Sequence, residues 1–432
     1  MTKLLPLQSI PSSPNNLISN SGGTETIIEI PVVAANLSKS ILHFTVTPTV
    51  TSPTASWMYT DALTCFQQIQ FYNRTGTLLC DLQQPQNYTK VIWKTDIPFD
   101  QYRNYDTYSG GVLGSSGSGR FLKPSNGLIS SVTAGSVAIR PVGGNASLNY
   151  LENSYLEVGT TTNSPSIDIS LPLSMIKNSI FDIDKDLYFN EIMILRLVWG
   201  AAAKVGFTSA SASDPTSSPV SYIACDVQNV YLFLATERNQ EIVDELKEEV
   251  MSNGLSIPIP FVYSFKTVNS ASTNQSSTLR ITRGHGTRLL KIYHSMFTQN
   301  ETLNTAYQNT QSATTLQNFY TQLDNYRLQD FNVNLALYDD WAVIQRKLEK
   351  SITFNSNIYR YNWFWLDDFT GCDESASETD PTVDNRIEGI DLTAEKRYDF
   401  IGYFAGNVAY NHYDFVVTQK MMGISANGLS CQ

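Results

Sequence analysis

Four groupings of residues in this 432-residue chain have types and spacings that could do chemistry. Gly114-Ser-Ser-Gly-Ser-Gly119-Arg120 has the glycine spacing of a loop whose backbone N–H groups cradle a phosphate. It carries Arg120 where such a loop uses Lys, and Phe121 where a magnesium-binding hydroxyl belongs. No strong strand leads into it, so a surface loop is the better reading. Arg283-Gly-His-Gly286 could offer backbone donors to an anion, but a glycine-bearing turn between two strands accounts for it more simply. The carboxylates Asp367, Asp368, Asp373, Glu374, Glu378, Asp380 and Asp384 could gather calcium. They lack the ligand spacing of an EF-hand, and acidic loops of this sort are solvated. His43 and His294 fall inside strand patterns, where a satisfied core or interface histidine is the default.

No GxSxG elbow and no HExxH helix is present. The five cysteines, Cys65, Cys80, Cys225, Cys372 and Cys431, are odd in number and scattered, with no CxxC pair. Four histidines cannot complete a zinc site with them. Cys65, Cys80 and Cys225 sit in or beside apolar runs and read as small buried hydrophobes, which fits a reducing compartment. The residues therefore assign no catalytic, cofactor-binding or metal site, and predict a protein that is not an enzyme. Two alternatives stay open at this level. A paired-carboxylate glycosidase has partners that meet only in the fold. The alternation of Tyr359, Tyr361, Trp363 and Trp365 could form a sugar platform, or simply mark one buried sheet face.

Composition removes other classes. With 29 basic against 40 acidic residues the net charge is −11, and no run of Lys or Arg exceeds two. Such a chain lacks the basic footprint that neutralises phosphates, so sequence-specific nucleic-acid binding is not expected. The opening MTKLLPLQSIPSSPNN is no signal peptide, and no run of about 18 apolar residues offers a membrane span. Secretion is not expected, and Asn-x-Thr triplets such as Asn73-Arg-Thr75 are chance matches. Charged residues are only 16%, against abundant Thr, Ser, Asn and Tyr, a mixture suited to sheet that packs on other subunits.

Stepping from groups to elements, residues 1–23 read as a flexible arm. Residues 24–34 and 41–50 alternate like half-buried strands, 66–82 like a hairpin around Asn73–Gly76, and 86–94 like a short helix. Residues 109–145 form a long polar stretch, and 208–220 a second loop. Strong strand patterns occupy 187–199 and 222–235. A clear amphipathic helix follows at 237–251, with Ile242, Val243, Leu246 and Val250 on one face and Thr236 as N-cap; Asn253-Gly254 ends it. The order then repeats: strands at 259–268, 278–283 and 288–297, a helical reading of 314–323, a helix at 339–350, an aromatic strand at 358–369, an acidic loop at 371–388, and strands to the end.

This recurrence spans roughly 200 residues, in pattern and not in identity, and predicts two copies of one β-sandwich. Short strands with long loops between particular pairs suit a jelly roll. A propeller would need a period of about 40–50 residues, which is absent. The expected fold is all-β: a first jelly roll at 24–236, a linking helix at 237–254 and a second jelly roll at 255–432.

Three stretches then carry a resemblance: SIDISLPLSMIKNSIFDIDKDLYFNEIMILRLVW (166–199), CDVQNVYLFLATERNQEIVDELKEEV (225–250) and YTQLDNYRLQDFNVNLALYDDWAVIQRKLEKS (320–351). In their order they resemble the double jelly-roll major capsid proteins of double-stranded DNA viruses, Polinton-like elements and virophages, over about residues 24–428. The resemblance implies two eight-stranded rolls side by side, a homotrimeric pseudo-hexagonal capsomer, and contacts with neighbouring capsomers, penton and minor capsid proteins. It implies a place in the icosahedral virion, with synthesis in the host cytoplasm or nucleus. The loops 109–145, 208–220 and 371–388 would then be tower and trimer contacts, and residues 1–23 an arm ordered on assembly. A glycan-binding β-sandwich of spike or lectin type is the alternative.

Overall fold

Alternation of apolar and polar residues decides most of the backbone. The computed structural model describes residues 1–7, 17–19, 21–49, 55–59, 62–96, 120–122, 155–159, 167–202, 205–209, 219–222, 224–298, 315–347, 363–371 and 387–432. Eight strands make a first roll: β1 (Thr2–Leu4), β2 (Glu25–Ile30), β3 (Ala34–Pro48), β4 (Phe66–Asn73), β5 (Leu78–Gln83), β6 (Ile167–Pro172), β7 (Met193–Trp199) and β8 (Cys225–Thr236). Eight more make a second: β9 (Leu255–Val268), β10 (Ser272–Ile281), β11 (Arg288–Thr298), β12 (Leu316–Leu323), β13 (Tyr326–Arg327), β14 (Phe364–Asp368), β15 (Lys396–Val408) and β16 (Tyr410–Ser425).

The two rolls share one strand order. In the first, β1-β8-β3-β6 form one sheet and β2-β7-β4-β5 the other. In the second, β9-β16-β11-β14 and β10-β15-β12-β13 repeat it. Each pair of sheets thus runs first-eighth-third-sixth and second-seventh-fourth-fifth, with every pairing antiparallel, which is the jelly-roll permutation. The chain is a double jelly roll.

Each roll closes over its own core. In the first, Ile28 and Ile30 of β2, Leu195 and Leu197 of β7 and Ile69 and Phe71 of β4 face Leu42, Phe44 and Val46 of β3, and all are buried. Phe44, Phe66 and Trp199 pack ring to ring at 4.8–5.4 Å. The indole N–H of Trp199 donates to Thr26 Oγ1 at 2.9 Å. Cys65, Cys80 and Cys225 are buried, and burial pushes the Cys80 and Cys225 thiols up to about 12. These cysteines pack as the hydrophobes the sequence predicts; Cys372 lies outside the described residues.

Three expectations need correction. The arm reading does not hold at Thr2–Leu4, because these residues pair antiparallel with Leu232–Leu234 and form the first strand of roll one. Further along, Ile18 bridges to Cys225. The helical reading of 314–323 fails, because Leu316–Leu323 is strand β12. Leu316, Phe319 and Leu323 have helical spacing only because a register shift between Leu316 and Asn318 brings Leu316 onto the face that Phe319, Thr321 and Leu323 already share. A β-bulge has imitated a helical period.

The linking helix α2 (Gln240–Ser252; α1 is Pro85–Asp96) is present, but starts later than its predicted cap. Thr236 stays in β8, paired with Ala35, and Asn239 caps instead, accepting from Glu241 N at 3.1 Å. Gly254 ends the helix at φ 70°, a left-handed position that favours glycine. Of its predicted apolar face only Val250 is buried, Leu246 and Val243 are half-buried, and Ile242 is 38% exposed. Leu246→Asp is therefore expected to cost less than about 1 kcal/mol, whereas Val250→Asp, which strands a charge between the rolls, should cost about 2–4 kcal/mol. Equal melting temperatures for the two variants would contradict this ranking.

Candidate functional site

What joins the halves is a broad seam. β5, α1 and the connection before β7, all from roll one, lie against the outward face of the β9-β16-β11 sheet of roll two. Helix α1 begins at Pro85, a position where a missing N–H costs nothing, and buries Tyr88, Val91, Ile92 and Thr95 along one face. Tyr88 meets Phe415 edge-on at 5.5 Å. The last residue of α1, Asp96, accepts hydrogen bonds from Tyr293 Oη at 2.6 Å and Asn178 Nδ2 at 2.7 Å, with Lys291 Nζ at 3.5 Å. Burial, then the Asp96 charge, holds the Tyr293 hydroxyl well above its ordinary range, so it stays a donor. Ser264 Oγ donates to Gln83 O at 2.9 Å, and Asn190 Nδ2 donates to Ser425 O.

Because of this seam the first nine residues of β16 have no wet face: Tyr410 to Thr418 are buried without a break, one side in the roll-two core and the other against roll one. Sequence reasoning missed Asp96. A signal was available, since a carboxylate in the last turn of a helix opposes the helix dipole and implies a partner from elsewhere in the fold.

The connections of roll one also build structure. Ala55–Tyr59, Arg120–Leu122, Tyr155–Gly159, Gly206–Ser209 and Pro219–Tyr222 pair into a separate five-stranded sheet. They come from the third-to-fourth, fifth-to-sixth and seventh-to-eighth strand connections, which emerge at one end of a jelly roll. The remaining residues of the predicted 109–145 loop, together with 210–218 and 372–386, lie outside the described residues.

The chemistry-bearing residues of roll two are internal. His294 Nδ1–H donates to Asp414 Oδ1, and Ser277 Oγ donates to Asp414 Oδ2 at 2.6 Å. His412 Nε2 meets Gln275 Oε1 at 3.1 Å, and the His294 ring stacks on Phe400 at 3.8 Å. Ser, Asp and His are close here, but the hydroxyl bonds the carboxylate and not the imidazole, and all three are buried. That order cannot activate a nucleophile as a base-to-hydroxyl relay does. The cluster holds the core together.

It also responds to pH. Burial, then the neighbouring His294, keeps the His412 pKa well below its ordinary 6.5, so the ring is neutral in the fold and protonates more readily once unfolded. The stability this supplies is complete above pH 6.5 and is lost as pH falls below it, by up to about 1.4 kcal/mol per unit. Urea midpoints should drop between pH 7.5 and 5.5, and less so in His412→Gln; parallel declines would rule out His412 as the cause.

The other predicted groups are placed as follows. Arg283–His285 is a single 3-10 turn between β10 and β11, in which Thr282 N donates to His285 Nδ1 at 3.0 Å. His43 is half-buried on the outward face of β3, with Nδ1 3.0 Å from Ser170 Oγ. Trp363 and Trp365 are buried at 0% and 1% exposure, so they present no face to a sugar; Tyr359 and Tyr361 lie outside the described residues. Asp367 is turned inward, accepting from Tyr398 Oη and Trp365 Nε1, each at 2.9 Å. Asp368 accepts from Thr370, and the other five carboxylates lie outside the described residues. Among the described residues no group of three or more His, Cys, Asp or Glu could hold a metal ion, and no helix is long and apolar enough to cross a membrane.

Solved structures share this arrangement along the whole chain. A chain of the PBCV-1 virus capsid matches 100% of this chain and 95% of its own length, with a TM-score of 0.56 at 8% identity. The mavirus major capsid protein matches 100% and 89%, at 0.53 and 7% identity. A chain of the Sputnik virophage matches 100% and 88%, at 0.51 and 11% identity. The fold described above is thus the double jelly roll of these major capsid proteins. No family model matches the chain, and no curated protein matches it in sequence.

Proposed function

We propose that this chain is a major capsid protein of a double-stranded DNA virus or virophage. Three copies would form a capsomer of pseudo-hexagonal outline, and capsomers would meet one another and penton and minor capsid proteins in an icosahedral shell. The protein would be made in the host cytoplasm or nucleus and reside in the virion. In this reading residues 2–236 and 255–432 are the two building units and 237–254 the link between them. The observation that carries it is the repeated strand order: one chain holds two rolls of one topology, fixed side by side by a buried seam. Three such chains place six similar rolls in a ring, which lets a three-fold object occupy a six-neighboured lattice position. The reading gives no residue a catalytic role and requires no cofactor. It is tested by the mass of the purified protein in solution, expected at three times 48.2 kDa, and by electron microscopy, expected to reveal particles of hexagonal outline. A stable monomer at high micromolar concentration would sink it.

A further inference from the structure

Three polar atoms deep in roll two have no protein partner among the described residues: His294 Nε2, His412 Nδ1 and Trp363 Nε1. All three side chains are 0% exposed, so bulk solvent cannot satisfy them. They belong to one cluster. The His294 ring centroid lies 5.1 Å from that of His412 and 6.0 Å from that of Trp363. Phe400, stacked on His294, meets the other two rings at 5.7 and 5.9 Å. Strand register gathers them. β16 places His412 opposite Met296, two residues along β11 from His294, and Trp363 immediately precedes β14, the strand on the other side of β11.

Their neighbours fix what each atom can do. Gln275 Nε2 donates to the carbonyls of Ser272 and Val408, which turns its Oε1 toward His412. His412 Nε2 therefore carries the proton of this neutral ring, and Nδ1 is left as an acceptor. Asp414 accepts from His294 Nδ1–H, which leaves Nε2 of the neutral ring as an acceptor too. The indole N–H of Trp363 can only donate. Two acceptors cannot bond each other, and one indole hydrogen cannot serve both. The three atoms together call for a molecule that gives two hydrogen bonds and takes one.

We infer that the core of roll two binds one water molecule, which accepts from Trp363 Nε1–H and donates to His294 Nε2 and His412 Nδ1. Water at buried polar sites makes about three such bonds. With arms of about 2.8 Å it bridges nitrogens up to about 5.6 Å apart, the scale set by these rings. A metal cation would suit the two lone pairs but not the N–H beside them, and among the described residues no third His, Cys, Asp or Glu completes a metal site with the pair. Roll one fills the space between its sheets with Phe44, Val46, Val227 and Trp199 instead. The water thus belongs to the second roll, where it holds each imidazole in the tautomer that Asp414 and Gln275 select. It goes beyond the capsomer reading and does not depend on it.

Two measurements on the full chain test this. A crystal structure at a resolution that shows ordered waters should carry one isolated oxygen peak about 2.7–3.2 Å from all three nitrogens, with no anomalous signal. In solution, the Raman band of the Trp363 indole N–H, obtained as wild type minus Trp363→Phe, should lie at the position of a hydrogen-bonded indole. A core closed over the three atoms, a peak that reaches only one or two of them, or an anomalous peak marking a metal would overturn the assignment. So would a Trp363 band at the free N–H position. Should Trp363→Phe fail to fold, the wild-type crystal structure alone decides.

Discussion

Trp199→Ala is expected to lower folding stability by about 3–5 kcal/mol, the largest single-residue loss in roll one. The indole is fully buried at the end of β7 and fills the space between Phe44 of one sheet and Phe66 of the other. Strand-held backbone on both sides limits how far the core can collapse into the cavity, so the loss includes the void as well as the lost transfer energy. Thr26 Oγ1 also loses its donor. Trp199→Phe should recover about half, since it restores ring packing without the hydrogen bond. Urea titration followed by circular dichroism measures both; an alanine variant within about 1 kcal/mol of wild type would show that the two sheets are not held at this point.

A loss of similar size, about 3–5 kcal/mol, is expected for Asp414→Ala in roll two. One carboxylate there accepts from both His294 and Ser277, in a core where neither donor can turn to water. Removing it leaves the imidazole N–H buried without an acceptor, while Ser277 keeps only its contact with Thr267 Oγ1 at 3.0 Å. Asp414→Asn preserves the shape, accepts from the ring and can donate to Ser277, so its loss should be nearer about 1–2 kcal/mol. The ordering of the two variants is the discriminating result. If Asn is as damaging as Ala, the charge of the pair and not its hydrogen bonds is what the core requires.

Much of the architecture was legible because its signals are local. The linking helix, α1, the hairpin of β4 and β5 and the strong strands β7 and β8 each follow from periodicity and turn residues within a dozen positions. Errors arose where a distant partner decides the conformation. Thr2–Leu4 is too short and polar to announce a strand, and becomes one only because β8 offers it an edge. Thr236 is a sound cap by type, yet pairing with Ala35 keeps it extended. The seam was invisible for the same reason: Tyr88, Asp96, Asn178 and Tyr293 are up to about 200 positions apart and form no motif, and only the misplaced charge of Asp96 hinted at it. Trp363 and Trp365 illustrate the converse. Their alternation predicted a buried sheet face or a platform, and burial decided for the former.

The bulge that disguised β12 also occurs in β4. FQQIQFYN and LQNFYTQL, the fourth strands of their rolls, have identical burial along all eight positions, and each slips register after its first residue, where Phe66 pairs with Trp199 and Leu316 with Phe404. Only the glutamine at the second position coincides between the two octapeptides. What the halves hold in common is thus a place where the ladder skips, and almost none of the lettering around it. Kinship of that kind leaves little for alignment of one half on the other to grasp, and it is read in the ladder instead.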